Sequence, residues 1–337
     1  MRLIRENWQP SVPKQTISIA MCTFNGAAWV EQQLESIAAQ ERLPDELVIC
    51  DDQSADGTLE LLNKFASTAA FPVRILSNEV RLGVAGNFSQ AIGLCSGDFI
   101  ALADQDDRWG PRKLAVLERC LIDQPAVGIV FSDANLVDET LRPLGTRLWD
   151  TLYLDLLQRQ RLTNGQAIGV LTRTNVVTGA TTMFRSCFKD MILPIPSCWI
   201  HDGWIALLIS AASICAMVDE PLVDYRQHAR QQIGARRASF LDQVRIGMEM
   251  DEAYFRLEAL RWLEAYRRAA AYRQMFRFPE QDLATIAEKA RFSQDRYRMR
   301  LESVDRWEAI ARHWAEGDYH TMAWGWKSLL QDVVIQK

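Results

Sequence analysis

Four times before residue 124 a short apolar run stops at a polar cluster and a helical pattern follows. The runs are Thr16–Cys22, Glu46–Cys50, Val73–Leu76 and Phe99–Ala103. They end at Thr23-Phe24-Asn25-Gly26, Asp51-Asp52-Gln53-Ser54, Asn78 and Asp104-Gln105-Asp106-Asp107. Helical spacing of apolar residues then marks residues 27–40 (Val30, Leu34, Ile37, Ala38), 59–68, 86–95 and 113–123, and Val127–Phe131 opens a fifth strand. Strands joined to helices by such short connections must lie parallel, as in a doubly wound α/β sheet. That geometry gathers every polar cluster at one sheet edge, the carboxyl ends of the strands, where α/β proteins bind ligands.

The cluster after the fourth strand carries the most chemistry. Asp104, Asp106 and Asp107 are three carboxylates within four residues. As a solvated acidic turn they would need no partner. At the end of a buried strand their repulsion calls for a positive charge, and a hard divalent cation that also binds phosphates suits an all-oxygen set. The whole chain has a net charge of −5, which excludes a protein built to attract nucleic acid.

Beyond residue 132 the pattern is less regular. Thr174–Phe184 is expected to hold one or two strands, Trp199–Ser213 a helix, and Cys215–Asp219 and Pro221–Arg226 two strands. From Arg236 onward the composition turns to Arg, Glu, Ala and Leu, which predicts three or more amphipathic helices. Five tryptophans lie there: Trp262, Trp307, Trp314, Trp324 and Trp326. Their spacing assigns most of them to helix contacts. The alternative is a face that meets a membrane surface, with 322–335 as its best stretch. The seven cysteines are odd in number and form no C-x-x-C pair, so they read as core residues of a reducing compartment. A polar start and an apolar stretch too short to span a bilayer (Trp204–Val218) add to the expectation of a cytoplasmic protein.

Six signals in order resemble the family-2 glycosyltransferases of the GT-A fold. They are Thr23-Phe24-Asn25-Gly26, Asp51–Thr58, Asn78–Asn87 with Arg81-Leu82-Gly83, Asp104–Trp109, His201-Asp202-Gly203-Trp204, and Tyr225-Arg226-Gln227-His228. Within the family the chain is most similar to bacterial rhamnosyltransferases of O-antigen or capsule assembly. The resemblance spans residues 16–234. It implies a catalytic domain over 1–235, with a nucleotide-sugar half (16–132) and an acceptor half (133–235), followed by a helical region, 236–337.

It also implies roles. A UDP- or dTDP-sugar donor would meet Thr23, Phe24, Asn25, Asp52, Arg81, Asp104 and Gln105, with Asp52 accepting the N–H of the base and Asp104 the ribose hydroxyls. Asp106 and His228 would hold Mn²⁺ or Mg²⁺. Asp107, Arg226 and Arg230 would support the metal or pair with phosphate. Asp202 would be the general base of an inverting transfer to a glycan acceptor, which the lipid-linked form of such glycans would bring to the inner membrane face. Gly179, His201 and Trp204 fall on the acceptor side. The family more often carries tryptophan where this chain has Gly203, which implies an open acceptor pocket. Each role has a structural rival: Asp202 and Asp52 as helix caps, His228 as an isolated core histidine, Gly179 as a strand bulge. The rival function is a non-catalytic glycan- or nucleotide-sugar-binding module of the same fold.

Overall fold

The computed structural model describes residues 15–152, 154–228, 250–301 and 305–334. Arg230 and the border expected at 235/236 lie outside the described residues. The strands are β1 (Ile17–Thr23), β2 (Glu46–Asp51), β3 (Val73–Ser77), β4 (Phe99–Ala103), β5 (Arg108–Trp109), β6 (Val127–Val137), β7 (Pro143–Arg147), β8 (Thr182–Arg185) and β9 (Ile214–Arg226). The first four helices are α1 (Val30–Ala38), α2 (Thr58–Ala66), α3 (Gly83–Leu94) and α4 (Lys113–Asp123). Then come α5 (Leu148–Thr151), α6 (Leu156–Thr163), α7 (Ala167–Leu171), α8 (Lys189–Ile192) and α9 (His201–Ala212).

One nine-stranded sheet runs β3-β2-β1-β4-β8-β6-β9-β5, with β7 beside β6. β1 to β4 pair parallel, as their alternation with helices requires. Leu47–Cys50 and Phe99–Ala103 are all essentially inaccessible, because helices cover both faces; hence their unbroken apolar runs. β8 lies antiparallel between β4 and β6 and turns the sheet mixed. The two strands expected over 215–226 are one long β9, parallel to β6 with bulges along the ladder.

Register places the site. Thr23 pairs with Asp51 and Met21 with Ala103, so β1, β2 and β4 end side by side. β5 pairs antiparallel with β9, Arg108 opposite Asp224, which draws the Asp104–Asp107 turn beside Arg226.

The expected C-terminal helices are present as Glu252–Tyr272, Glu280–Arg300, Arg306–Glu316, Asp318–Thr321 and Trp326–Val333. The first two join the main core through Trp262, Ala265, Ala269, Ile286 and Ala290. Arg268 ties them down by donating to the Met191 and Leu193 carbonyls. Only Trp262 of the five tail tryptophans is buried, contrary to the helical-spacing expectation; Trp307, Trp314, Trp324 and Trp326 are about half exposed. The outer helices rest on two small apolar clusters, too little to cover those indoles. No helix among the described residues is long and apolar enough to cross a membrane.

Candidate active site

At the first strand end the Thr23 hydroxyl donates to Asp51, which also accepts from the backbone and hydroxyl of Ser54. Asn25 stands at φ 48°, a left-handed conformation that asparagine tolerates, and its side-chain oxygen accepts from Ala55 N–H. Gln105 pairs both its amide groups with the Phe24 backbone, at 2.8 and 3.0 Å. Thr23, Asn25 and Gln105 thus lock the first, second and fourth loops to one another.

Asp52 is buried. Its Oδ1 accepts from Asn78 Nδ2 (2.9 Å) and Leu82 N–H (2.7 Å), and its Oδ2 from Gly83 N–H (2.9 Å). Arg81 lies 3.9 Å from the same oxygen and 3.7 Å above the Phe24 ring. One lone-pair direction on Oδ2 remains beside a ring and a planar guanidinium.

The carboxylate turn is strongly polarised. Burial, then repulsion from Asp106 and Asp202, pushes the Asp104 carboxyl up to about 7. Burial first, then Asp106 and Asp104, raises Asp107 well above the usual range. Asp107 Oδ1 accepts from Arg226 N–H, but its buried Oδ2 has no partner. The counter-charge is Lys113, which is fully buried. It donates to the Ala180 carbonyl (2.6 Å) and sits 3.2 Å over Trp109. Its own ammonium is depressed by burial.

His228 Nε2 lies 2.9 Å from Asp106 Oδ2, and its ring stacks on Trp29 at 4.0 Å. Arg226 donates to the Asp106 carbonyl, to the Gln32 side chain and to the Glu139 carbonyl. Its fork is spent on protein acceptors, so it braces the turn and does not reach for phosphate as expected.

Asp202 stands in the first turn of α9, where the helix dipole favours a carboxylate. Oδ1 accepts from Asn175 Nδ2 (2.9 Å) and Gly203 N–H (2.6 Å), Oδ2 from Gly179 N–H (3.2 Å). The next residue, Ala180, gives its carbonyl to Lys113, so one short segment lies between Asp202 and the carboxylate turn. A Cβ at Gly203 would meet the Asn175 amide at 3.3 Å. The space expected to open an acceptor pocket is taken by Asn175.

Two acceptor-side expectations need correction. Trp204 is fully buried, with its indole N–H donating to the Ile192 carbonyl. His201 is buried too, stacked on Phe88 at 3.8 Å, neither ring nitrogen has a partner, and burial favours its neutral form. A Cβ at Gly179 would lie 2.5 Å from His201 Nε2, so this glycine serves a close internal approach. Asn175, Trp29 and Lys113 were missed by sequence reasoning. Each is a single residue with no repeat or spacing to flag it.

The profile of the family described as Glycosyl transferase family 2 matches residues 18–190 of this chain. The chain belongs to glycosyl transferase family 2. The dTDP-rhamnosyl transferase RfbG of Shigella flexneri is 27% identical over 246 residues, 69% of this chain and 80% of that protein. A Mycobacterium tuberculosis protein is 24% identical over 220 residues, 63% of this chain and 59% of that protein. Among solved structures, S. aureus TarS 1–349 in complex with UDP-GlcNAc superposes with a TM-score of 0.52 at 16% identity, covering 84% of this chain and 91% of that one. The mannosyltransferase PcManGT of Pyrobaculum calidifontis, in complex with GDP-Man and Mn²⁺, gives 0.50 at 15% identity, covering 96% and 87%. These likenesses carry the fold, which is GT-A, and family membership makes the protein a glycosyltransferase.

Residues able to hold a cation can now be weighed. Asp106 and His228 are two adjoining ligand groups, and the raised Asp104 and the unpartnered Asp107 oxygen mark an excess of negative charge that a divalent cation would relieve. Two protein ligands suit an ion that completes its shell with phosphate oxygens and water. A second group, His313, Glu316 and Asp318, is closer-knit. The Arg291 guanidinium already occupies it, 2.7 Å from Glu316 and 3.4 Å from Asp318.

Proposed function

We propose that this glycosyltransferase moves a sugar from a UDP- or dTDP-sugar to a hydroxyl of a bacterial surface glycan, in one inverting displacement that depends on Mn²⁺ or Mg²⁺. The observation that carries the reading is that adjacent residues serve both carboxylate groups: Gly179 N–H bonds to Asp202, and the Ala180 carbonyl takes Lys113, the buried cation beside the Asp104–Asp107 turn. Asp106 and His228 would hold the metal, which would supply positive charge to the nucleoside diphosphate leaving group. Asp52 offers its remaining lone pair to the N–H of a pyrimidine base, beside Phe24 and Arg81. Asp104 accepts from the ribose hydroxyls. Asp202 takes the acceptor proton as the acceptor oxygen bonds to the anomeric carbon and the sugar–phosphate bond breaks with its electron pair. Rhamnose is the sugar that the RfbG relative supports. The half-exposed tail indoles leave room for contact with a membrane bearing a lipid-linked acceptor. A screen of UDP, dTDP and GDP for thermal stabilisation with Mn²⁺ tests the donor; a GDP preference would overturn it.

Asn175 holds the base without being the base. Asn175→Ala should lower turnover about tenfold, the worth of one hydrogen bond to a charged group, with the KM for donor unchanged. A change confined to donor KM would remove Asn175 from this role.

The acid group at Asp104 predicts a pH dependence. Its folded carboxyl sits near 7 against an ordinary 3.8. The folded protein therefore keeps a proton that the unfolded chain has released between about pH 4 and pH 7, and metal-free stability falls as pH rises through that window. Melting temperatures of EDTA-treated protein should decline across it, and Asp104→Asn should flatten the decline.

A further inference from the structure

We propose that a bowl among the C-terminal helices binds an anionic sugar, a carboxylate- or phosphate-bearing unit of the acceptor glycan. The role as an acceptor subsite rests on the function proposed above; the binding itself does not. The bowl is a cavity of about 100 Å³ bounded by helices Glu252–Tyr272, Glu280–Arg300 and Trp326–Val333. Three cations line it, Arg173, Lys289 and Arg296, against one carboxylate, Glu258. Glu258 is already engaged by Arg261 (2.5 Å) and by the Trp262 indole N–H (3.2 Å). Arg296 is matched by Asp332. Lys289 is 7% exposed, and its ammonium donates to the Met322 carbonyl beneath the Trp262 ring. Burial draws its pKa down to about 8, and an anion in the bowl would stabilise its charge.

The rim supplies the rest. Trp324 is 47% exposed, with the Arg173 guanidinium 5.7 Å from its ring centre. The Arg173 guanidinium and the Tyr254 and Ser293 hydroxyls also line the bowl and make no hydrogen bond among the described residues. A flat apolar ring, two hydroxyls and surplus positive charge together match a sugar ring that carries an acidic group. A purely apolar ligand would leave Lys289 uncompensated, and a bare inorganic anion would make no use of Trp324.

The rim and the proposed base are linked through one short segment of chain. Arg173 stands two residues before Asn175, whose amide donates to Asp202. Two residues of extended chain span no more than about 7 Å. The residue that braces the proposed base and the cation on the rim of the bowl thus share one segment, which is what assigns the bowl to the acceptor side.

Saturation-transfer NMR on the full chain, with UDP and diamagnetic Mg²⁺ present to fill the donor cleft, tests this with three probes: methyl β-D-glucuronide, glucose 1-phosphate and methyl β-D-glucoside. At least one anionic probe should receive saturation at millimolar concentration, and the neutral one about tenfold less. A stronger glucuronide signal assigns an acidic sugar, a stronger phosphate signal a phosphorylated one. Trp324→Ala and Arg173→Ala, both at exposed positions, should each weaken binding about tenfold while the thermal shift with UDP and Mn²⁺ stays as in the parent. Equal saturation of the neutral glycoside, no saturation of any probe, or binding untouched in both variants would overturn the assignment. If instead Asp202→Asn kept full transfer, the transferase mechanism would fail while a positive NMR result would still stand.

Discussion

Asp202→Asn should lower sugar transfer by roughly 10²–10⁴-fold, the usual worth of a positioned general base, while UDP or dTDP still binds. The change is nearly isosteric, so the start of α9 keeps its shape. Asparagine can still accept from Asn175 and Gly203 at its oxygen, but it presents an NH₂ where Oδ2 now accepts from Gly179 N–H. What disappears is the ability to take a proton. A steady-state assay of transfer, paired with thermal shift by nucleotide, separates the two functions. Full activity in the variant would move the base elsewhere in the crevice, and the non-catalytic reading would gain if the parent itself showed no turnover with any donor.

The nucleotide half of the fold was legible because three of its strands, β1, β2 and β4, are buried on both faces. Such strands must be apolar throughout, and they must stop where the chain turns polar, so Ile17–Thr23, Glu46–Asp51 and Phe99–Ala103 announce both their core and their functional edge. The acceptor half hides the same information. β6 continues past Phe131 through Ser132 and Asp133, which are buried polar residues; Asp133 accepts from Ala134 and Trp149 N–H. The apolar residues that follow, Ala134, Leu136 and Val137, come only after this polar break. β7 is exposed along its whole length and has no alternation to read. Trp204 misled for the opposite reason. It stands two residues after the base, but two helical steps of about 100° each carry its side chain to the opposite face, and α9 turns nearly every residue after Asp202 into the core. The roles of Arg226 and Gln105 turn on which backbone groups need a partner, which only the fold reveals. Asn175 belongs to the same class: its amide matters because α9 begins beside it, a long-range fact absent from its own neighbourhood.

Asp106→Ala should abolish the stabilisation that Mn²⁺ and a nucleoside diphosphate give together. At a hundredfold excess of ligand over Kd that stabilisation is about 2.7 kcal/mol, or about 5 °C in melting temperature for a chain of this size. His228 Nε2 rests against Asp106 Oδ2, with Trp29 stacked behind the imidazole, so both ligand groups are preset, and little ordering cost would fall on binding. The variant also removes one of the charges that repel Asp104 and Asp107. The metal-free variant should therefore be no less stable than the metal-free parent, and it should melt higher at pH values above 7, where the parent bears the full repulsion. That pairing is diagnostic. A damaged fold lowers the melting temperature with and without Mn²⁺, whereas loss of a cation site erases only the gain. His228→Ala should erase the same gain without the rise in metal-free stability, since it takes away a ligand but none of the negative charge. An undiminished Mn²⁺ response in both variants would place the cation elsewhere and leave the Asp104–Asp107 turn to be balanced by Lys113 and Arg226.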